Sequence, residues 1–535
     1  MDAKRKYDVV VVGAGSAGCV TAGRLASSKL KVALLEAGPS SLSFWQKLPL
    51  GVGKALQDNR RLWSDVCVPS PGTEDRSIEW HSGRGIGGSS AVNGMLAVRG
   101  DPALYDRLSA DDVRDWRYSD CLPFFKKLEK VGFSSSEARG QTGPIHVSRV
   151  AHSPYSEAFH NAFLGLGVPS LSDYNEDFQT GVYQLQLTTT RYFRSDASAY
   201  LTLPGCAGNL DTFFETEAHK IHFERGAAVA VEATRRGQRE MFYADRIVLC
   251  LGSVRTPRLL ELSGVGDPKI LESVGIKPSC PLENVGKNLR DHLMVRQTFK
   301  STIGGTVNSF FLSNLFAADQ VVRYTLGQPS LLATPSLVST AFVGIPGSEE
   351  KTKFRIQLGL VAAEGRLSSS LKTGIDPFPG FHIGVYDISP ESAGETHIFC
   401  SDPARPSKVT PRYLDDERDR SSLAEAFEYV NFLTQEPCFR KIIADKTRPG
   451  SEIQTSKDLH RYFSKSAHTC WHPVGTCRMG SDPSKSVTDS EGRVHGLNNL
   501  YIFDASIFPK HTSSNTNLPV LMAAEKLSSK FLKNI

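Results

Sequence analysis

The side chains most able to do chemistry are concentrated in one stretch near the C-terminal end, HTCWHPVGTCRMG at 468–480. It holds two histidines and two cysteines within thirteen residues. Such residues can bind a metal, provide a reactive thiol or transfer a proton. The rest of the chain has to discriminate between these three kinds of chemistry.

A metal site is disfavoured by the spacing of the possible ligands. His468 and His472 are four residues apart, but structural zinc sites use four ligands and the chain offers no second paired cluster. Pro473 interrupts any helix that would place both rings on one face. We therefore expect no metal.

A reactive thiol is also disfavoured. Cys477 lies beside Arg478, whose charge could lower a thiol pKa, but the chain has no C-x-x-C pair. We expect structural roles for five residues that share no further chemical context: His468, Cys470, Cys477, His495 and His511. His472 then remains as the candidate acid–base group.

The N-terminal region predicts a nucleotide-binding βαβ unit. YDVVVV (7–12) is typical of a buried strand, GAGSAG (13–18) of a phosphate-binding turn, and KVALLEA of a second strand that ends at Glu36. Gly13 permits the turn, Gly15 allows backbone to approach a pyrophosphate, and Gly18 allows helix to pack on strand. Glu36 can accept hydrogen bonds from a ribose diol. A glycine turn in another α/β fold would leave Glu36 unexplained, and the motif alone does not separate NAD from FAD.

A second glycine-rich segment, GRGIGGSSAVNGMLAVRG, spans 83–100. Its six glycines and two serines allow backbone amides to press against a ligand. Apolar residues interleave with them, which argues against a flexible surface loop: Ile86, Val92, Met95, Leu96 and Val98. The segment therefore predicts a buried binding loop.

With these segments, the chain resembles the glucose–methanol–choline (GMC) oxidoreductases, which are FAD-dependent. The resemblance also includes GSVRTPRLLELSGVG (252–266), NVGKNLRDH (284–292) and the C-terminal part from HPVGTCRMG to FDASIFPKHTSSNTNLPVLMAAEK. It covers nearly the whole chain and is closest to the choline dehydrogenase and aryl-alcohol oxidase type. WRYSDCLPFFKKLE (116–129) resembles the capping-lid region of the family.

The resemblance implies two discontinuous domains. Residues 1–150, 205–290 and 465–535 would form an α/β, Rossmann-like FAD-binding domain. Residues 150–205 and 290–465 would form an α+β substrate domain with an antiparallel sheet. The sequence pattern alone leaves 301–380 unassigned.

The resemblance also implies the site residues. His472 matches the catalytic histidine, and Asn515 matches the second active-site position. The implied cofactor-binding residues are Gly13, Gly15, Ser16, Ala17, Gly18, Glu36, Ala37, Arg84, Gly88, Ser89, Asn93, Gly94, Met95, Ala97, Ala218, Gly252, Trp471, Asp504, Ala505, Asn515 and Thr516. Some members attach FAD through a histidine where this chain has Val92, so we expect non-covalent FAD.

These residue types suit oxidation of a primary alcohol to an aldehyde. The flavin N5 accepts a hydride, and His472 can take the hydroxyl proton. Asn515 does not titrate, but its amide can bind the substrate oxygen. A helix that begins near Asn515 and Thr516 would place partial positive charge beside the flavin. O₂ and a quinone both remain possible electron acceptors.

Composition bounds the other functions. A net charge of +5 over 535 residues gives no nucleic-acid footprint, and no apolar run of about 18 residues predicts a membrane span. The start MDAKRKYDVVVV leaves no room for a signal-peptide core, so we expect a cytoplasmic protein, of undetermined oligomeric state.

The alternatives are a lyase or photodecarboxylase relative and a flavin-binding protein without catalysis. His472 argues against photodecarboxylation, and the His472–Asn515 pair argues against loss of catalysis.

Overall fold

The computed structural model describes residues 6–110, 112–344, 352–365, 368, 370–451 and 453–535. The helices are α1 Ser16–Ser27, α2 Phe44–Lys47, α3 Val52–Ala55, α4 Pro102–Ala110, α5 Tyr118–Leu128, α6 Pro154–Gly165, α7 Gly252–Leu262, α8 Pro268–Ser273, α9 Val307–Leu312, α10 Asn314–Thr325, α11 Glu417–Gln435, α12 Pro437–Arg440, α13 Ser456–Ser466 and α14 Asn517–Lys533. Short 3₁₀ turns, such as Pro49–Gly51 and Leu331–Ala333, connect some of them.

The strands are β1 Lys6–Val12, β2 Val32–Leu35, β3 Leu62–Cys67, β4 Trp80–Gly83, β5 Glu129–Val131, β6 Ile145–Arg149, β7 Ser170–Leu171, β8 Gly181–Gln184, β9 Gln186–Leu187, β10 Leu210–Phe213, β11 Thr216–Glu224, β12 Ala227–Arg235, β13 Gln238–Leu249, β14 Val265–Gly266, β15 Cys280–Pro281, β16 Lys287–Leu289, β17 Leu293–Ser301, β18 Leu337–Val343, β19 Phe354–Gly359, β20 Gly380–Asp387, β21 Gly394–His397, β22 Lys408–Thr410, β23 Ile443–Arg448, β24 His468–Thr469 and β25 Leu500–Ile502. Most of them belong to two large sheets with separate hydrophobic cores.

The first large sheet is the Rossmann-like one. Its order is β10-β2-β1-β13-β12-β11, with β25 also paired to β13. The pairs from β10 to β13 and the β13–β25 pair are parallel, whereas β11 and β12 are antiparallel. Val9–Val12 of β1 are all buried, as a strand covered on both faces requires, and they share one hydrophobic core with α1 and α14. The predicted βαβ unit is therefore present, with α1 and β2 close to their expected bounds.

The second large sheet carries the substrate half of the molecule. Its order is β23-β17-β20-β19-β18-β8-β7, with β24 paired to β17. All its pairs are antiparallel except β7–β8, so the sheet is mixed. The strand β24 lies in the segment that the sequence assigned to the FAD-binding part. The histidine stretch thus leaves the second sheet at β24 before it reaches His472.

The segment 116–129 does not behave as the lid that its resemblance implied. Helix α5 packs against α14, and its Cys121, Phe125 and Leu128 belong to the core of the first sheet. None of its residues lines the large cavity described below. The apolar face of α5 indicates its position better than the resemblance does, because buried aromatic residues fix a helix to the domain it covers.

Within the described ranges, no helix is both long and apolar enough to cross a membrane. All ten cysteines lie in those ranges, and none of them forms a disulfide.

Gly18 should be essential to the nucleotide turn. A Cβ atom there would lie 1.7 Å from the carbonyl oxygen of Gly13, whereas a Cβ atom at the exposed Gly132 would meet nothing within 4 Å. We expect Gly18→Ala to lower the free energy of unfolding by at least about 2 kcal/mol, as overpacking against fixed backbone does. Gly132→Ala is the matched control. Calorimetric unfolding measures both, and equal transition temperatures for the two variants would contradict this packing role.

Candidate active site

A single large cavity, of about 630 Å³, joins the two halves of the molecule. At one end it is lined by the carboxyl ends of β1 and β2, the first turn of α1 and the start of β11. At the other end it is lined by β17, β19 and β20 of the second sheet, and His472 and Asn515 lie along the same cavity. The cavity therefore connects the predicted nucleotide turn with the predicted acid–base group.

Glu36 lies at the nucleotide end and is almost fully buried. Its carboxylate accepts hydrogen bonds from the backbone amides of Ala14 (2.8 Å), Gly38 (2.9 Å) and Gly85 (2.8 Å). Burial raises its pKa, and these three amides and Arg84 oppose that shift. A carboxylate has about four acceptor positions, so one remains for a ribose hydroxyl. Glu36 thus also ties the two glycine-rich loops together.

Asp504 lines the cavity and also organises the backbone beside it. Its carboxylate accepts from the Gly252 amide (2.9 Å), the Thr256 hydroxyl (2.5 Å), and both the amide (2.9 Å) and hydroxyl (2.6 Å) of Ser506. Burial raises its pKa. These four protein donors use the usual acceptor positions of the carboxylate, so Asp504 organises the start of α7. Its contact with a cofactor stays a prediction.

The two glycine loops form a backbone cradle. A Cβ atom at Gly88 would lie 2.6 Å from the Cα of Gly15, so the loops touch in a way that side chains would prevent. The first turns of α1 and α14 meet there, with the Ser16 hydroxyl 3.0 Å from Asn517 Oδ1, and both line the cavity. Two helix N-termini and bare backbone amides suit a pyrophosphate, and the carboxylate of Glu36 suits a ribose. The residues present therefore fit FAD.

Most predicted site residues line this cavity. They are Gly13, Gly15, Ser16, Ala17, Glu36, Ala37, Gly88, Ser89, Asn93, Gly94, Met95, Ala218, Gly252, Trp471, His472, Asp504, Ala505, Asn515 and Thr516. Their contacts with a bound cofactor remain predictions.

Three predicted cofactor-binding residues do not line the cavity. Gly18 packs α1 on the β1 turn, as its place in the motif predicted. The Arg84 guanidinium lies 4.6 Å from the ring centroid of Trp63, so Arg84 supports the wall from behind. Ala97 is fully buried, and its amide donates to the carbonyl of Gln186. Direct cofactor binding by Arg84 and Ala97 therefore stays a prediction that the cavity lining does not support.

The backbone of His472 is fixed by Asp291. This buried carboxylate accepts from the His472 amide (2.7 Å) and from the hydroxyls of Thr469 and Tyr413. Trp471 has φ of +56°, a conformation unusual for a bulky residue, and its amide donates to the Thr469 hydroxyl (2.8 Å). Together these bonds turn the chain sharply before His472 and direct it to the cavity.

The His472 ring lies between His292 and Asn515. Its Nδ1 is 3.1 Å from Nδ1 of His292, and its Nε2 is 2.8 Å from Nδ2 of Asn515. Burial lowers the pKa of His292 to about 4, so His292 is neutral at pH 7. Its Nε2 lies 3.1 Å from the carbonyl oxygen of Ile388, which places its one proton on Nε2.

These partners fix the tautomer of a neutral His472. Because Nδ1 of His292 has no proton, Nδ1 of His472 must donate to it. The Nε2 atom of His472 then carries the lone pair, consistent with the donor NH₂ group of Asn515 beside it. The arrangement presents a basic nitrogen at the cavity wall.

Arg355 fixes the orientation of the Asn515 amide. Its guanidinium donates to Asn515 Oδ1 and to the Ser514 hydroxyl, and also to the hydroxyls of Tyr386 (3.3 Å) and Thr340 (3.0 Å). Because arginine only donates, Oδ1 must face Arg355 and the NH₂ group must face His472. A hydrogen-bonded chain therefore runs from Ile388 through His292, His472 and Asn515 to Arg355.

The charge of Arg355 is unusual. The side chain is fully buried, and its guanidinium donates only to neutral oxygens. No carboxylate of the described residues lies within 4 Å of it. The ring of Phe342 lies 5.4 Å from the guanidinium and provides further neutral support. A buried cation without a counterion strongly favours negative charge nearby.

Sequence reasoning missed His292, Arg355 and Tyr386. His292 ends the segment NVGKNLRDH, which had been noticed without a role for its histidine. Arg355 and Tyr386 come from β19 and β20, where burial of both faces leaves no alternating pattern. Only long-range sheet pairing, Arg355 with Tyr386, brings them to the site.

The other candidate residues of the C-terminal region have supporting positions. The ring of His511 stacks on His292, with centroids 3.8 Å apart, and its Nε2 is 3.0 Å from the His472 carbonyl. Burial raises the pKa of Cys477 well above its ordinary value, so it is a thiol rather than a thiolate. His495 contacts the Ser486 hydroxyl and the Gly480 carbonyl. In the part of the chain that the structure describes, no group of three His, Cys, Asp or Glu residues is placed to hold a metal.

Comparison with known proteins finds similar sequences along nearly the whole chain. Two family profiles, both described as GMC oxidoreductase, match residues 7–294 and 390–524. An oxygen-dependent choline dehydrogenase of Photobacterium profundum is 30% identical, over 99% of this chain and 93% of that protein.

Two solved structures share the fold. Pyridoxine 4-oxidase from Mesorbium loti has a TM-score of 0.88 and 26% identity, over 98% of this chain and 99% of that one. A fungal aryl-alcohol oxidase has a TM-score of 0.83 and 19% identity, over 99% of each chain, which shows the fold alone.

The buried histidines predict acid sensitivity. Burial holds the pKa of His292 at about 4 and that of His511 well below 6.5, so both stay neutral in the folded chain while the unfolded chain binds protons. The free energy of unfolding should therefore fall as pH drops from about 6.5 to about 4, by up to about 3 kcal/mol per pH unit for the two together. Urea unfolding across this range measures the slope.

A variant with one fewer buried histidine provides the comparison. His292→Gln should flatten the slope, whereas replacing the exposed His460 with Asn should leave it unchanged. Identical slopes for His292→Gln and the parent protein would show that His292 is not held neutral by the fold.

Proposed function

The chain belongs to the GMC oxidoreductase family, and from this premise we propose that it oxidises a primary alcohol to an aldehyde with non-covalently bound FAD. FAD is the cofactor typical of the family. The observation that carries the proposal is the orientation of His472 and Asn515, whose basic nitrogen and amide lie together on the cavity wall. An alcohol hydroxyl requires this combination of one acceptor and one donor.

His472 would act as the general base. Nε2 is the nitrogen with the lone pair, and the hydroxyl proton of the alcohol would move to it. His292 would hold the ring while the charge develops, because its Nδ1 accepts the hydrogen bond from Nδ1 of His472. When bound, FAD supplies the hydride acceptor at its N5 atom.

Asn515 would bind the substrate oxygen. Its NH₂ group has two protons, so one can remain with His472 while the other donates to the developing alkoxide. The cationic Arg355 on Oδ1 polarises the amide and makes its N–H groups stronger donors. Arg355 would thus act through Asn515 as a positioning and polarising residue.

The rest of the cavity suits a small substrate with an apolar body. Val92, Met294, Leu337, Val361 and Ile375 line it together with Trp471. Trp471 packs against the cluster that contains Val92, and its Nε1 donates to the Glu79 carbonyl (3.1 Å). An aromatic or furanic alcohol fits this lining. Val92 has no nucleophilic atom, which supports non-covalent binding of FAD.

We propose O₂ or a quinone as the electron acceptor and the cytoplasm as the location. An oxygen-dependent relative supports O₂. If O₂ reacts here, a protonated His472 and the buried Arg355 would stabilise negative charge on oxygen.

His472→Ala should slow alcohol oxidation without loss of the cofactor. Removing a general base typically costs about 10²–10⁴-fold. Candidate alcohols are mixed anaerobically with the yellow holoenzyme, and bleaching of the flavin absorbance is followed by stopped flow. A panel of aromatic, furanic and aliphatic primary alcohols identifies the substrate class.

The matched control for this experiment is His495→Ala, a histidine of the same C-terminal region that does not line the cavity. It should retain the bleaching rate of the parent. Undiminished bleaching in His472→Ala would assign the base to another group, and a protein that cannot be reconstituted with FAD would refute the proposal as a whole.

Arg355 variants should separate charge from packing. We expect Arg355→Met to weaken binding of sulfite, which adds an anion to the flavin, by about tenfold or more, because the buried cation is lost. Arg355→Lys keeps the charge and should recover part of the affinity. Thr340→Val removes a hydroxyl that accepts from Nε of Arg355 and donates to the Ile356 carbonyl (3.2 Å), but it removes no charge. Its sulfite affinity should therefore stay near that of the parent. Equal affinity in Arg355→Met and the parent would show that Arg355 only packs.

A further inference from the structure

The exposed hydrophobic residues are concentrated on one face. Of the fourteen large hydrophobic side chains that the described residues expose, nine lie on α2, on residues 191–193 or on the α9–α10 segment. They are Phe44, Trp45, Phe193, Phe311, Leu312, Leu315, Val321, Val322 and Leu326. Such clustering marks an interaction surface, whereas single exposed apolar residues are ordinary.

Helix α10 has its apolar stripe on the outside. Leu315 is 86% exposed and Val322 is 55% exposed, and these residues, seven apart, occupy one helix face with Ala318 between them. Gln320 is the helix residue that is buried. An ordinary surface helix turns its apolar residues inward, as α10 does with Phe316, which packs against the second core. The outward apolar stripe of α10 is therefore an additional one.

Hydrogen bonds and ring contacts join these segments to one another. The amide of Arg194 donates to the Lys47 carbonyl (2.9 Å), which links residues 191–194 to α2. The rings of Tyr192 and Tyr324 pack 5.6 Å apart, and Arg191 donates to the Leu326 carbonyl (2.9 Å), which links them to the end of α10. The nine residues thus form one surface, which we call the apolar rim.

The apolar rim adjoins the mouth of the active-site cavity. Trp45 and Phe311 contribute both to the rim and to the cavity lining, and Phe310 and Leu332 line the cavity beside them. Whatever covers the rim therefore also lies next to the path by which an apolar compound reaches His472.

The charges of the rim select the kind of partner. Residues 43–54, 190–194 and 307–326 contain four exposed cations, Lys47, Lys54, Arg191 and Arg323. Their one carboxylate, Asp319, is paired with Arg323 at 2.7 Å. Exposed apolar residues flanked by lysine, arginine, tryptophan and tyrosine are the pattern of interfacial helices on anionic membranes.

From this geometry, we propose that the apolar rim docks peripherally on an anionic phospholipid bilayer. The outer face of α10 would enter the headgroup boundary, with Leu315 and Val322 in the apolar layer and Lys47 and Arg191 at the phosphates. The cavity mouth would then open beside the lipid, where apolar alcohols and acceptors concentrate. The docking does not depend on which alcohol His472 oxidises.

Co-sedimentation of the full-length holoenzyme with vesicles tests the proposal. The vesicles are phosphatidylcholine alone or phosphatidylcholine with about 30% phosphatidylglycerol. We expect binding to the anionic vesicles, at least tenfold weaker binding to the neutral ones, and loss of binding at about 0.5 M salt. Leu315→Asp combined with Val322→Asp should weaken binding at least tenfold, and Lys47→Glu should weaken it separately.

The matched control places two aspartates elsewhere. Met241→Asp combined with Phe432→Asp changes exposed hydrophobic residues outside the rim and should bind vesicles like the parent. FAD content, far-UV circular dichroism and turnover of a soluble alcohol should be the same in both double variants, because neither Leu315 nor Val322 lines the cavity. If the rim variant alone lost its fold, Lys47→Glu would still test the electrostatic component.

Two outcomes would overturn the proposal. One is equal and negligible binding of the parent to both kinds of vesicle. The other is a self-associating parent that sediments as a dimer and becomes monomeric when Leu315 and Val322 are replaced, since a second copy would then cover the rim.

Discussion

The arrangement of the site depends on one hydrogen-bonded chain in which each polar group has a single consistent assignment. It begins at the Ile388 carbonyl, passes through His292, His472 and Asn515, and ends at Arg355. The carbonyl only accepts and the guanidinium only donates, so the two ends fix every proton between them. A neutral His472 is thereby left with its basic Nε2 toward Asn515 and the cavity wall. If the Ile388 carbonyl or Arg355 were displaced, neither the tautomer of His472 nor the orientation of the Asn515 amide would be fixed.

This hydrogen-bonded series can form only because the fold brings the edges of both large sheets together. His292 immediately precedes β17 of the second sheet, whereas Asn515 precedes α14, which packs on α1 of the first. The histidine stretch joins them, because β24 pairs with β17 two residues before Trp471 adopts its left-handed conformation. Asp291 then binds the His472 amide from the neighbouring segment. The stretch is thus short, polar and buried because it connects two sheets at their boundary.

These positions explain how far sequence reasoning could reach. Local signals predicted the βαβ unit at 7–36, since strand, turn and helix there follow from adjacent residues. The resemblance led to His472 and Asn515, which lie in contact as expected. Arg355 could not be found in this way, because every residue of β19 is buried and its role arises from pairing with β20. The resemblance also assigned Asp504 and the α5 segment, and the structure adds what it could not give: four protein hydrogen bonds to the Asp504 carboxylate and the core packing of α5.

The buried groups around His472 place neutral rings on one side of it and a positive charge on the other. His292 and His511 are held neutral by burial, and the guanidinium of Arg355 lies among neutral oxygens. Two neutral rings behind His472 add no competing positive charge when it takes a proton, whereas Arg355 lies on the side where an oxygen becomes negative. The transferred proton would therefore be stabilised by the histidines, and the alkoxide by Asn515 and Arg355, at opposite ends of the hydrogen-bonded series. Because both parts are fixed before substrate binds, little reorganisation is needed during the transfer, which is the physical basis for assigning acid–base chemistry to this wall.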